Sequence, residues 1–273
     1  MPLTTAQKNL VAQFCQATGA NEKAAQRFLK NANYKLDVAA DASSGGNTGA
    51  FNAPRPEPAL EKMFDGLHDE SRDEKDTLDV ESSMMYFQSL GIDPETADFF
   101  VVAEIVQAES FGRITKKNYV DGWKNTGIPA RDTDHIKYVE SSIKRLATDP
   151  DYFKKVYRYG FIAGRDENQR ALPLERAEVF WDMLFAPHIH PWQTPGVDWL
   201  EAWKTFLEEK YNKTVSKDMW NQTLEFADRT VAAGGLSFWD ENSSWPTVID
   251  QFVEYCSEKK IGGGGAADGM EVD

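Results

Sequence analysis

Two histidines in the segment APHIHPW, His188 and His190, are the first residues whose types suggest metal or acid–base chemistry. Their spacing does not set both imidazoles on one helical face, and no cysteine or acidic ligand lies beside them to complete a zinc set. The two cysteines, Cys15 and Cys256, are far apart in sequence and form neither a disulfide framework nor a zinc spacing. Both fall at helical positions beside aromatics, where they read as small core hydrophobes. Nothing near either would depress a thiol pKa. A glycine-rich phosphate loop, HExxH and GxSxG are all missing. A hydrolase built on paired carboxylates would need a cleft with perturbed acids, which a sequence does not reveal. The residues therefore assemble no catalytic set, and no cofactor or metal is expected.

Acid-rich stretches suggest calcium next. HDESRDEKDTLDVESS, residues 68–83, resembles a calcium loop with Leu78 at its apolar eighth position. That register puts Asp76 rather than glycine at position six and Ser82 rather than glutamate at position twelve, so the sharp turn and the bidentate ligand are both lost. A second such hairpin, FGRITKKN, has Ile114 at the comparable place and fewer acids. Both read as helix hairpins of EF-hand-like architecture that have lost the metal.

Near the C-terminus, VSKDMWNQTLEFADRT offers Ser216 as an N-cap with Asp218 in the first turn. In NSSWPTVIDQFVEYC, Ser243 or Ser244 would cap, with Pro246 in the first turn. Trp245, Ile249 and Phe252 make the buried stripe, leaving Asp250 outside it beside Glu254. Residue physics alone reads Asp218 as a helix-dipole acid and Asp250 as a charge on a solvated face.

The elements that would position these residues are helical. In residues 1–42, Leu10, Val11, Phe14 and Cys15 form one face. Asn21 caps a second helix carrying Ala24, Ala25, Phe28 and Leu29, and Leu36, Val38 and Ala39 mark a third. Residues 43–58, SSGGNTGAFNAPRPEP, read as a flexible linker, and 261–273 as a disordered acidic tail. Between them, residues 59–260 read as helices joined by short loops. Leu60, Met63 and Phe64 open this part, and Val80, Met84 and Phe87 follow at helical spacing. Asp93 and Pro94 open a stretch that is apolar nearly all round from Ala97 to Ala108, the mark of a buried central helix. No run of alternating strands stands out, so the fold class is all-α.

Composition narrows the partners. The net charge is −14, from 44 acidic and 30 basic residues. Such a surface repels phosphate backbones, so nucleic acid is not an expected partner, whereas a basic protein surface would be steered in. No apolar run is long enough to span a membrane, the N-terminus lacks a signal-peptide layout, and no lipidation signal is present.

Several segments resemble the defective in cullin neddylation family, which joins a small ubiquitin-associated-like (UBA-like) domain to a larger one called PONY, or DCUN. NANYKLDVAADA, from Asn31 to Ala42, is similar to the third-helix segment of the first domain. SLGIDPET, RALPLERAEVFWDMLF, WLEAWKTFLEE, SKDMWN and SSWPTVIDQFVEY follow in the family's order in the second.

The resemblance implies a non-enzymatic scaffold for neddylation with three binding surfaces, while the missing disulfide framework points to a reducing interior, nucleus and cytoplasm. An acidic patch for a basic cullin surface falls on Asp218, Ser244 and Asp250, with Ser244 in place of the family's small apolar residue. A hydrophobic pocket for the N-acetylated terminus of the conjugating enzyme falls on Val80, Phe87, Phe99, Val102, Ala103, Val106, Ala108, Phe111, Ile114, Phe180 and Met183. Pattern alone reads most of these as core, and Ser83 and Ala163 stand where larger apolar groups are expected. The UBA-like domain would bind ubiquitin or the cullin modifier. A general ubiquitin receptor working through that domain is the leading alternative, and a calcium-responsive hairpin sensor is another.

Overall fold

The computed structural model describes residues 5–18, 22–32, 34, 35, 39 and 56–262. It divides into two compact units, Met1–Arg55 and Pro56–Asp273. In the first, α1 (Thr5–Thr18) packs on α2 (Glu22–Asn31) around Val11, Phe14, Ala25, Leu29 and Ala39. Cys15 is half-buried against this cluster. Leu36 and Val38 of the expected third helix, linker residues 43–55 and tail residues 263–273 lie outside the described residues.

The second unit opens with α3 (Pro56–Leu67). The helix thus takes in Pro56–Pro58, which composition assigns to the linker. Proline suits a first helical turn because its missing N–H has no partner to lose there. The first calcium-like loop follows and ends in β1 (Thr77–Leu78), which leads into α4 (Val80–Ser89). Next come α5 (Asp98–Ile105), β2 (Ile114–Thr115) and α6 (Lys116–Thr126). β1 and β2 are antiparallel, with Leu78 directly opposite Ile114. The two positions picked out as apolar loop residues are therefore cross-strand partners, and both are fully buried.

No metal set fills these loops: among the described residues no group of three or more His, Cys, Asp or Glu could hold an ion. The loop's carboxylates are answered from within the chain. Asp73 accepts the amides of Asp69 (2.8 Å) and Asp79 (2.9 Å), Asp69 accepts that of Ser71 (2.9 Å), and Arg72 pairs with Asp69 (2.9 Å) and Glu81.

The remaining elements are α7 (Asp132–Leu146), α8 (Pro150–Ala163), α9 (Leu174–Leu184), a hairpin of β3 (Gln193–Thr194) and β4 (Val197–Asp198), and α10 (Trp199–Phe206). A π-turn over Leu207–Tyr211 extends α10, and α11 (Lys217–Ala233) and α12 (Thr247–Lys259) complete the order. The fold is all-α apart from these two-residue strand pairs.

At the centre lies α5, whose residues Phe99 to Ile105 are all buried. It is shorter than the apolar run suggests. Asp93 does accept a backbone N–H, that of Glu95 (2.9 Å), but it starts only a turn, and the helix proper begins at Asp98. Its one buried charge, Glu104, is met by Lys155 at 2.7 Å. Close approach depends on glycine on two sides. A Cβ on Gly160 of α8 would sit 3.2 Å from the Phe100 ring, and one on Gly122 of α6 only 2.0 Å from the Ile105 carbonyl oxygen. Gly122→Ala is expected to force α6 off α5 and destabilise the unit by about 3 kcal/mol. The shift in a urea unfolding midpoint measures it, and an unchanged midpoint would mean the two helices need no such close approach.

Candidate functional site

Val80 and Phe111 are exposed apolar residues, with 49% and 37% of their surface open. They line a cleft of about 410 Å³. Asp79 places Val80 by capping α4, its carboxylate accepting the Ser82 amide at 2.9 Å. Gly112 (φ +66°) turns the chain so tightly against Val80 that a Cβ there would lie 3.0 Å from Val80 Cγ2. Phe111 is held by its amide, which donates to the Arg165 carbonyl (3.0 Å), and by the Arg176 guanidinium 4.9 Å from its ring centre.

The rim is charged. Arg113 spans from Glu74 (2.7 Å) to Glu167 (2.9 Å), while Arg176 donates to Asp166 and to the Gly164 carbonyl, each at 2.7 Å. None of these rim residues stood out in the sequence. Only Glu74 among them falls in the acid-rich stretch 68–83, which read as a degenerate metal loop.

Of the residues that the family resemblance assigns to a pocket, Val80 and Phe111 are open to this cleft. Phe87, Phe99, Val102, Ala103, Val106, Ala108, Ile114 and Phe180 are buried, and Met183 is half-buried against the core. Ring contacts run inward from the cleft: Phe111 to Phe99 at 6.0 Å, then Phe99 to Phe87 at 5.4 Å and to Phe180 at 6.2 Å. Ser83 and Ala163 are fully buried too.

The second candidate surface lies on the starts of α11 and α12. Ser216 caps α11, accepting the Met219 amide at 3.1 Å, and Asp218 is exposed in the first turn. Ser244 is exposed in the loop before α12. Neither Ser243 nor Ser244 caps that helix. Pro246 occupies the cap position, with no side-chain acceptor to offer, so helical backbone begins at Thr247. Asp250 is half-buried and accepts the indole N–H of Trp239 at 3.1 Å. Trp239 was not singled out by sequence, because a tryptophan in an irregular loop has no periodicity to read. The loop is pinned by Phe226, whose ring lies 5.3 Å from Phe238, 5.4 Å from Trp245 and 6.1 Å from Phe252. Asp218 and Asp250 share no hydrogen-bond partner among the described residues.

Among the described residues, those that first suggested chemistry gather into no metal-holding group. His190 Nε2 lies 2.6 Å from Asp228 Oδ1 and its ring stacks on Phe153, while His188 is exposed. Cys256 is fully buried, and burial pushes its thiol up to about 12, far from a nucleophile's range.

This arrangement defines a class: a small helical unit of the UBA-like kind followed by a larger helical domain with a cleft at Val80 and Phe111. A "UBA-like domain" model matches residues 8–42, and a "Cullin binding" model matches 134–255. The chain is 47% identical to "Defective in cullin neddylation protein 1" of Pyricularia oryzae over the whole of both proteins. It is 31% identical to the protein of that name in Yarrowia lipolytica, over 88% of this chain and 93% of that one. Against "DCN1-like protein 3" of Mus musculus, identity is 30% over 87% of this chain and 78% of that one. The chain belongs to the defective in cullin neddylation family.

Burial separates cleft from core in a measurable way. Phe99→Ala is expected to destabilise the unit by about 3–5 kcal/mol, as for a buried aromatic, and Phe111→Ala by only about 1–2 kcal/mol. Equal losses in denaturant melts would show that Phe111 is core rather than cleft.

Proposed function

We propose that this protein is a scaffold in cullin neddylation that has no catalytic group of its own. It binds a cullin through Asp218, Ser244 and Asp250, and the N-acetylated terminus of the conjugating enzyme in the cleft at Val80 and Phe111. The observation carrying this reading is the full-length likeness to a protein named for defective cullin neddylation, together with the cullin-binding match over 134–255. All three patch residues fall in that stretch. Two features of the chain support the finer assignment. An acidic surface on a protein of net charge −14 would steer in a basic partner, and Trp239 fixes the Asp250 carboxylate in one orientation. The open apolar pair at Val80 and Phe111 suits a small apolar side chain, with the buried aromatics beneath setting the depth of the floor.

Acetylation has a physical role here. A free terminal amine brought onto an apolar surface must either stay charged without its water or give up its proton, whereas an acetylated one carries no charge to desolvate. Holding enzyme and cullin on one body turns their encounter into a local event, so the rate rises without any contribution from the scaffold to thioester chemistry. The UBA-like unit would bind ubiquitin or the modifier, and the protein would act in nucleus and cytoplasm.

Calorimetric titration with the conjugating enzyme's N-terminal peptide tests the cleft. The acetylated form should bind about tenfold tighter or more than the free amine. Binding of neither form would refute the cleft assignment and favour a ubiquitin receptor acting through the first unit. Asp250→Lys tests the acidic surface: cullin affinity should fall by about tenfold or more with acetyl-peptide binding unchanged. Loss of both together would point to misfolding, and retained cullin affinity would remove Asp250 from the interface.

A further inference from the structure

A hollow of about 250 Å³ lies between the π-turn and α12. Phe206 and Tyr255 form its floor and are almost wholly buried, so the walls set its character. One wall is Lys210 of the π-turn, and the other is Gln251, Glu254 and Glu258 of α12, all of them exposed. A π-turn is a rare departure from the α-helix and recurs at functional sites. Glu254 and Glu258 stand one turn apart on the same helix, where like charges repel. Neither carboxylate is paired with a cation among the described residues, and Lys210 across the hollow reaches neither. Lys259 is engaged elsewhere, with Glu209 at 3.7 Å and over the Tyr255 ring at 5.5 Å. Two carboxylates against one ammonium leave the walls net negative.

The hollow continues a surface already described. Asp250 immediately precedes Gln251, and Glu254 and Glu258 follow it at i+4 and i+8 on one side of α12. At a rise of about 1.5 Å per residue, the three carboxylates run for about 12 Å along the helix. Trp239 fixes Asp250 at one end of this stripe, and the hollow lies at the other. An anion entering the hollow would be repelled, and an apolar chain would strip water from both glutamates without replacing it. A cationic head on a long apolar stem fits both parts, its charge meeting the glutamates and its stem lying toward the aromatic floor.

We propose that this hollow is a socket for a long basic side chain, arginine or lysine, of the same partner surface that Asp250 receives. The cullin interface then runs along α12 from Asp250 to Glu258. The inference rests on the cullin-binding reading of Asp250 and adds Glu254 and Glu258 to its contacts.

Calorimetric titration of the full chain with the C-terminal region of a cullin, at low and at high salt, provides the test. The double substitution Glu254→Gln with Glu258→Gln keeps side-chain size and helix propensity but removes both charges. Cullin affinity should fall by about fivefold at low salt and lose part of its salt dependence. The unfolding midpoint should be unchanged or raised, and acetyl-peptide binding intact. A control pair, Glu95→Gln with Glu140→Gln, alters net charge by the same amount at exposed positions outside α12 and should leave cullin affinity nearly as it was. An equal loss in the control would mean that the partner feels only the charge of the whole molecule, and the socket would be wrong. Full affinity in the Glu254→Gln, Glu258→Gln chain, with Asp250→Lys binding weakly, would remove the socket and leave the cullin reading standing. Full affinity in that chain and in Asp250→Lys alike would overturn both.

Discussion

A helix with no wet face must be covered on every side, and that requirement organises the larger unit. Every residue of α5 from Phe99 to Ile105 is buried, so α6, α7 and α8 are recruited to surround it. Close cover requires small residues where backbones approach, which is the part played by Gly122 and Gly160. It also requires an answer to the single buried carboxylate, which Lys155 supplies from the surface. Dry packing of this kind is stiff, and stiffness is passed outward to whatever rests on it. Phe99 projects from α5 to touch Phe111, so the cleft stands on the most deeply buried element of the molecule.

Rim and floor of that cleft are held by forces of different strength. The floor is aromatic packing, in which each ring is fixed by several neighbours. The rim is made of ion pairs whose side chains are partly open to water, such as Arg113 with Glu74 and Glu167. Exposed pairs of that sort contribute roughly 0–1 kcal/mol each. An incoming chain could exchange them for its own contacts at small loss while the floor stays in place. The same economy explains the metal-like loop beside it. Backbone amides hydrogen-bond Asp69 and Asp73, and Arg72 pairs with Asp69, so these carboxylates help to hold the shape of the hairpin.

Much of the fold was legible wherever a local rule decides the outcome. Leu78 and Ile114 were picked out by position in a loop pattern and proved to be paired. Ser216 capped as its type and place suggested, and the apolar run beginning at Ala97 did mark the central helix. Legibility failed where two local rules compete or where tertiary contact decides. At Asp93–Pro94 a capping signal began a turn, because the helix start was settled by what Phe99 and Phe100 pack against. Before α12 the proline displaced two serines from the cap. An apolar pattern reports that Val80, Phe99 and Phe111 avoid water, but only the packing of α5 under the 110–113 turn tells that Phe99 is covered while the other two stay open. Trp239 and the arginines of the rim act through contacts distant in sequence, so no spacing announced them.

A scaffold of the proposed kind gains little from two binding surfaces unless the distance between them is fixed, since a loose body spreads its partners over many useless arrangements. Here packed rings lead from one surface to the other. Phe111 touches Phe99, which touches Phe180 on α9. The next residue, Trp181, stacks on Trp220 of α11 at 5.4 Å and donates its indole N–H to Tyr157 at 2.8 Å. Tyr157 in turn donates to the Trp220 carbonyl at 2.9 Å and accepts at the same time, so its buried hydroxyl is fully used. Leu172 and Val215 exchange backbone hydrogen bonds of 2.9 and 2.8 Å, tying the entrance of α9 to that of α11. Asp218 lies three residues beyond Val215 and two before Trp220. The acid at the start of α11 is thereby set at a fixed distance from Phe111 by rings and backbone, none of which needs to touch either partner.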